Sequence, residues 1–144
     1  MADFSIPLDK LAAKMQADLE TVVRKSTFDM YTRVKQKSPV DTGRFRTNWN
    51  VSQGAVNTAT TESTDQTRAD TEIAKVWTLP IGGVMYMANS LPYARVLEYG
   101  GYPNPPKNPT GKTVGGFSKQ APQGMVRLTA IEFSQYVQKA IGEL

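Results

Sequence analysis

One short stretch of the sequence, from Ser38 to Trp49, restricts the fold more than any other. Pro39 has no backbone N–H and disfavours helical dihedral angles at the preceding residue, so a helix that arrives from the N-terminal side must end at Ser38. Gly43 can adopt the positive φ of a tight turn, and the polar pair before it can bond nearby amides. We therefore predict a corner between a helix and a strand. Its residues are Ser38, Pro39, Val40, Asp41, Thr42, Gly43 and Arg44, with Trp49 as a core anchor.

A regular apolar pattern precedes this corner. Apolar residues recur every three or four positions from Leu8 to Val34, and only Ser26 interrupts them. Such spacing is typical of one face of an amphipathic helix. A helix over 8–36 would be roughly 40 Å long at 1.5 Å per residue, so it must cross the whole domain and could reach a neighbouring subunit.

The segments after the corner are shorter. Alternating residues predict a strand over 45–53 with Trp49 in the core. The segment 58–71 is acidic and rich in Thr and Ser, and it has no apolar residue larger than Ala, so we expect an exposed, mobile loop. The stretch 73–79 fits a helix or a strand, and we favour a short helix or irregular segment. A further strand is expected at 84–87.

The C-terminal third combines a loop with a helix. Four prolines and three glycines within 102–116 predict an extended loop with no core of its own. From Pro122 onward, apolar residues return at spacings of three or four, which predicts a second amphipathic helix. A strand from Met125 is the alternative, with poorer alternation. We therefore expect one α+β domain over 1–144, with a long N-terminal helix and a C-terminal helix packed on an antiparallel sheet of about four strands.

Reactive side chains are scarce. The chain contains no His and no Cys, which excludes the usual nucleophile–base pairs and soft metal sites. The segment 110–113 looks like the end of a phosphate-binding loop, but Pro106 stands where that motif requires glycine. No apolar run approaches the ~20 residues that span a bilayer. We expect no enzyme activity, no cofactor and no membrane partner.

Glu98 is the one acid that allows two interpretations. It could act as a lone general base beside neighbouring tyrosines. The simpler interpretation is a partly buried acid paired with Arg44, Arg46 or Arg95.

Charge is distributed in blocks, although the net charge is only +4. Basic residues dominate 33–46, acidic residues dominate 62–72, and no acid lies between Glu98 and Glu132. Such blocks are usually solvated faces, but separated blocks of opposite sign also suit a subunit that meets its neighbours in a fixed orientation. The candidate subunit interface comprises Arg33, Lys35, Lys37, Glu62, Asp65, Asp70 and Glu72.

Three motifs follow one another along the chain. The first is the corner with Trp49; the second joins Leu91-Pro92-Tyr93-Ala94 to Leu97-Glu98-Tyr99-Gly100; the third runs from Ser118 to Val126. Together they resemble the tail-completion family of tailed bacteriophages, which are neck or head–tail joining proteins related to the lambdoid minor tail protein Z. In that resemblance Tyr93, Ala94, Glu98, Tyr99 and Gly100 belong to the structural motif.

The resemblance implies a structural protein of the virion neck, assembled in the cytoplasm of the bacterial host. It would cap the head-proximal end of the tail as a ring, with six copies expected. Its partners would be copies of itself, the tail tube protein and a head-completion connector or portal-bound adaptor. Genomic DNA would pass through the bore without sequence-specific binding, and Lys107, Lys112 and Lys119 are candidates for facing that DNA or another partner.

Two kinds of alternative remain open. A tail terminator or a head-closure protein would occupy the same neck region. A basic nucleic-acid-binding domain outside a virion belongs to another class, supported by basic residues interleaved with aromatic ones.

Overall fold

The computed structural model describes residues 7–107 and 110–144, and an α+β architecture is confirmed. Residues 108–109 of the predicted Pro-rich loop and the first six residues of the predicted domain lie outside the described residues. The helices are α1 (Leu8–Lys37), α2 (Arg44–Thr47), α3 (Thr67–Ala74), α4 (Ala94–Tyr99), α5 (Val126–Ile131) and α6 (Phe133–Gly142). The strands are β1 (Asn50–Gln53), β2 (Met85–Ala88), β3 (Thr113–Val114) and β4 (Phe117–Ser118).

Within the described ranges, the four strands form two antiparallel sheets of two strands each, where a single sheet was expected. β1 pairs with β2, and Asn50 lies opposite Ala88. β3 and β4 make a small hairpin inside and just after the Pro-rich loop, with Thr113 opposite Ser118. The hairpin can turn within two residues because Gly115 and Gly116 both have positive φ, at 58° and 86°. The C-terminal part of the predicted extended loop therefore has regular structure.

The strand predicted over 45–53 begins later than expected. Residues 44–47 form the helical turn α2, and only 50–53 are extended. Phe45, Thr47 and Trp49 are nevertheless all buried, as the alternation predicted. The pattern identified these three buried residues correctly but was wrong about the backbone and about the residues between them, since Asn48 and Asn50 are buried as well.

The segment 58–71 is not simply a loop, because α3 begins within it. Asp65 accepts hydrogen bonds from the backbone N–H and the hydroxyl of Thr67 at 3.0 and 2.8 Å, which fixes the first turn of α3. A single 3₁₀ turn, Lys75–Trp77, continues α3. The preference for a short helix over 73–79 is thus confirmed as far as Trp77.

The core has two parts, and α1 contributes to both. Val34 packs with Phe45, Trp49, Leu97 and Met125 in the first part. In the second part, Tyr31 packs with three apolar residues from β1, α3 and the 3₁₀ turn, namely Val51, Ile73 and Val76. The C-terminal half of α1 therefore acts as the spine of the domain.

The predicted C-terminal helix is present as two helices, α5 and α6, which meet at Glu132. α6 packs antiparallel along α1. The Lys37 ammonium lies 2.8 Å from the Glu132 carboxylate, and one turn further along α6, Tyr136 lies near Arg33, one turn back along α1.

Candidate functional site

The corner is held by a chain of buried hydrogen bonds. The Ser38 hydroxyl donates to the Val34 carbonyl and accepts from the Trp49 indole N–H, both at 2.8 Å. The Arg46 guanidinium donates to the carbonyls of Gln36 and Ser38, so it covers the end of α1 where backbone acceptors have no helical partner. Trp49 is the core anchor that the sequence predicted.

Gly43 has the positive φ that the sequence predicted, at 93°. A Cβ at this position would lie 2.7 Å from the Gln66 side-chain nitrogen and 3.2 Å from the Thr64 carbonyl oxygen. Gln66 instead donates a hydrogen bond to the Gly43 carbonyl at 3.0 Å. The corner therefore needs glycine for its backbone conformation and also for close contact with the segment before α3.

Two buried asparagines that the sequence analysis did not single out attach that segment to the corner. The Asn48 side chain bonds both the N–H and the carbonyl of Thr61, at 2.8 and 2.9 Å. The Asn50 amide donates to the carbonyls of Asn57 and Ala59. The predicted mobile loop is thus tied down through its backbone. The signal that could have revealed this was the pair of amide side chains on either side of Trp49.

Glu98 of the second motif caps α5. Its carboxylate accepts the backbone N–H groups of Met125, Val126 and Arg127 at 2.8 to 2.9 Å. Burial alone would raise the pKa of Glu98, but these three N–H donors and the Arg127 side chain outweigh burial and lower that pKa overall. The predicted pairing of Glu98 with Arg44, Arg46 or Arg95 is wrong, because Arg127 lies 3.3 Å from this carboxylate.

Glycine again permits the close approach around this cap. Gly124 has φ of 87°, and a Cβ there would clash with the Glu98 backbone carbonyl. Gly100 has φ of 78°, and a Cβ there would meet the Phe117 ring at 3.0 Å. Tyr99, which lies between Glu98 and Gly100 in the sequence, is exposed, and the Arg127 guanidinium lies over its ring, 4.8 Å from the centroid. The Glu-Tyr-Gly motif therefore joins α4 to both the β3–β4 hairpin and α5.

The three motifs meet around one open cleft of about 810 Å³. Its lining includes corner residues from Pro39 to Phe45, Tyr93 of the second motif, and residues from Ser118 to Gln120 of the third. The Gln120 side chain pairs with the backbone of Val40, accepting its N–H at 2.8 Å and donating to its carbonyl at 2.7 Å. Among the predicted basic contacts, Lys112 and Lys119 line the cleft, whereas Lys107 is exposed outside it.

Comparison with protein families shows which family this chain belongs to. Residues 2–100 match the model of the family described as "Bacteriophage HK97-gp10, putative tail-component". The chain is a member of this phage tail-component family. Comparisons with curated proteins and with solved structures gave no match. The family match covers the corner and the second motif, so the expectation of a bacteriophage virion component is confirmed. The closer relation to the lambdoid protein Z stays a prediction.

In this tail component, several candidate interface charges pair within one chain. Lys35 lies 2.5 Å from Asp70, and Lys37 contacts Glu132. Glu72 is buried and pairs with Lys75. Arg33 and Glu62 are exposed. The interface prediction is not tested by these contacts, but they show that most of its charges also serve the fold.

The described part of the tail component has neither a metal-binding cluster nor a membrane-spanning helix. Among residues 7–107 and 110–144, no group of three or more His, Cys, Asp and Glu side chains is placed to hold a metal ion. In the same part of the chain, no helix is both long and apolar enough to cross a membrane.

Proposed function

We propose that this tail component works at the virion neck as a ring that closes the head-proximal end of the tail and joins it to the head connector. The observation that carries the proposal is the placement of α1 in a chain from a tail-component family. Its C-terminal half lies in the core, whereas Leu8, Met15 and Leu19 in its N-terminal half are more than 60% exposed. Apolar residues at helical spacing form a packing face, and here that face is open to a neighbouring subunit.

The proposal assigns no catalytic role to the polar groups of the corner or of the Glu98 cap. The corner and the Glu98 cap both use their polar groups to hold helices in place, and their carboxylate and amide atoms are engaged in those bonds. We propose accordingly that the protein acts through assembly contacts, without a cofactor. Its partners would be copies of itself, the tail tube and the head connector or adaptor.

Deletion of the gene from the phage tests the proposal and distinguishes it from the two other neck functions, tail termination and head closure. A tail-completion protein predicts full heads and tails of normal length that stay unjoined. A tail terminator predicts tails of abnormal length, and a head-closure protein predicts heads that lose DNA. Electron microscopy of the lysate distinguishes the three outcomes, and complementation with the intact gene is the control.

The cleft supports a second candidate function, contact with nucleic acid. Arg44, Lys112 and Lys119 border it, and Tyr93 and Tyr102 contribute aromatic surface. Against this function, the Lys112 ammonium lies 3.5 Å from the Asp41 carboxylate, so part of the positive charge is offset. The affinity for a generic DNA duplex at two salt concentrations decides whether the cleft binds nucleic acid. A protein that neutralises several phosphates shows an affinity that falls steeply with salt.

A further inference from the structure

The N-terminal half of α1 carries an apolar stripe that no other part of the described chain covers. Leu8, Leu11, Met15 and Leu19 follow one another at helical spacing and expose 81%, 38%, 64% and 64% of their surface. Single exposed leucines are ordinary on a soluble protein, whereas apolar residues in line at helical spacing form the face with which an amphipathic helix packs against another element.

The same face of α1 already binds a helix further along. Ser26 continues the spacing of the stripe and is buried, and α6 packs along this part of α1 with Ala140 buried as well. α6 has ten residues and α1 has thirty, so an antiparallel α6 that begins beside Lys37 ends near the middle of α1. The stripe is the uncovered continuation of a helix-packing face.

A groove on the same chain, like the stripe, has no charged side chain. It has a volume of about 310 Å³ and lies between α1, the turn before β2, and the start of α6. None of its lining side chains is charged, and Phe133 at its edge is 44% exposed. The groove residues that belong to α1 lie on the helix face next to the stripe, because 3.6 residues make one turn. The lining residues are Val23, Thr27, Met30, Tyr31, Pro80, Ile81, Gly82, Gly83, Met85 and Phe133.

We infer that the stripe Leu8–Leu19 of one copy docks in the Val23–Phe133 groove of the next copy. Both surfaces are apolar and uncharged, one is a convex helix edge and the other is concave, and α1 already packs against a helix beside the groove. Because the two surfaces are different parts of one chain, the contact is heterologous and can repeat head to tail, as a ring requires. The inference names the contact between copies in the proposed ring, and it rests on the proposed function for the closure of that ring.

The size of the contact sets how strongly the copies associate. Twelve residues of helix extend about 18 Å, and a stripe roughly 10 Å wide gives on the order of 200 Å². Stable complexes bury about 800 Å² on each partner. The docked stripe alone is therefore a weak contact, which forms at high local concentration or on a tail that holds the copies together.

Paired cysteines test the contact directly, since the chain has no cysteine of its own. We expect a short bismaleimide to link the double variants Met15→Cys/Phe133→Cys or Leu11→Cys/Ile81→Cys into ladders of several chains at high concentration. Ala13→Cys/Phe133→Cys is the matched control, because Ala13 lies on the opposite face of the same helical turn, and it should give no ladder. Linked dimers of the single variant Met15→Cys would show the stripe pairing with itself and would overturn the inference. So would the absence of ladders from both pairs.

A charge placed on the stripe tests the same contact in solution and in the phage. Met15→Lys should abolish concentration-dependent association in sedimentation velocity and leave the thermal midpoint unchanged, whereas Ala13→Lys should leave both unchanged. Normal association of Met15→Lys would contradict the inference. Different results would contradict the two proposals. Infectious particles that carry Met15→Lys at the neck would contradict only the docking contact. Absence of the wild-type chain from purified necks would contradict only the proposed function.

Discussion

At the scale of single residues, Glu98 shows how one carboxylate can hold two motifs together. Replacement by Gln keeps the shape but turns one acceptor into an amide donor that faces backbone N–H groups. We expect Glu98→Gln to lower the free energy of unfolding near neutral pH by about 1–3 kcal/mol, the usual cost of unsatisfied buried groups. Urea denaturation measures this, with exposed Glu62→Gln as the control for loss of one charge.

The pH dependence of the same variant has a definite sign. The folded-state pKa of Glu98 lies below the ordinary 4.5, so its stabilising effect is complete above 4.5 and is lost as the pH falls below that value. The wild type should therefore lose more stability than Glu98→Gln between neutral pH and pH values below 4.5. Parallel stability curves for the two proteins would show that the cap contributes no such linkage.

Replacement of Ser26 should stabilise the protein, whereas replacement of Glu98 should destabilise it. It is 1% exposed, and its hydroxyl has no hydrogen-bond partner among the described residues. A buried hydroxyl without a partner costs about 1–3 kcal/mol, and Ala also favours helix. Ser26→Ala should thus raise the free energy of unfolding by about 1 kcal/mol, which chemical denaturation can resolve. A decrease would mean that the hydroxyl makes a bond in solution.

Residues whose role is local could be predicted from the sequence. Pro39 and Gly43 act through their own dihedral angles, and Trp49 is large and apolar enough to demand burial. The partner of Glu98 could not be predicted, because Arg127 lies 29 positions away and no local pattern favours it over the nearer Arg95. Asn48 and Asn50 were missed for a similar reason, since their bonds go to a segment that has no apolar pattern.

At the scale of elements, long periodic patterns were reliable and short ones were not. α1 has thirty residues, so its many turns define the helical period, and its predicted end at the corner is confirmed. α2 has only four residues, too few to separate a helical turn from the start of a strand. Four strands of two to four residues likewise could not indicate that they form two sheets.

The Pro-rich segment yields a test at this scale. Tyr102 packs against the core, and the backbone N–H groups of Gly101 and Tyr102 both donate to the Gly116 carbonyl, so the two ends of the segment belong to the fold. Replacing 103–111 with a short Gly-Ser bridge should leave the thermal midpoint nearly unchanged but impair head–tail joining. Replacing the whole of 102–116 should destabilise the protein. Equal midpoints for the two replacements would show that the hairpin contributes nothing to stability.

At the scale of the whole molecule, some charges of the blocks hold the fold, and in the proposed ring the others would meet a neighbour. Asp70 and Glu72 belong to the first kind, since each contacts a lysine of its own chain. Glu62 and Arg33 are exposed and suit the second. An exposed ion pair contributes only about 0–1 kcal/mol, so such charges would set the register of a ring whose cohesion comes from apolar contacts.

This division predicts different outcomes for two reversals of the same size. Asp70→Lys should lower the free energy of unfolding, because it places a second ammonium beside Lys35, whose side chain is 12% exposed. Glu62→Lys should leave stability within about 0.5 kcal/mol, as surface changes usually do, and yet reduce the yield of joined particles. If Arg33 of one copy faces Glu62 of the next, the added change Arg33→Glu should restore much of that yield, and Arg33→Glu alone should reduce it. Counting joined and unjoined particles by electron microscopy gives the yield. A normal yield for Glu62→Lys would contradict a role of the charge blocks in the subunit contact. Lys112 and Lys119 at the cleft would then be the basic residues to test for binding to DNA.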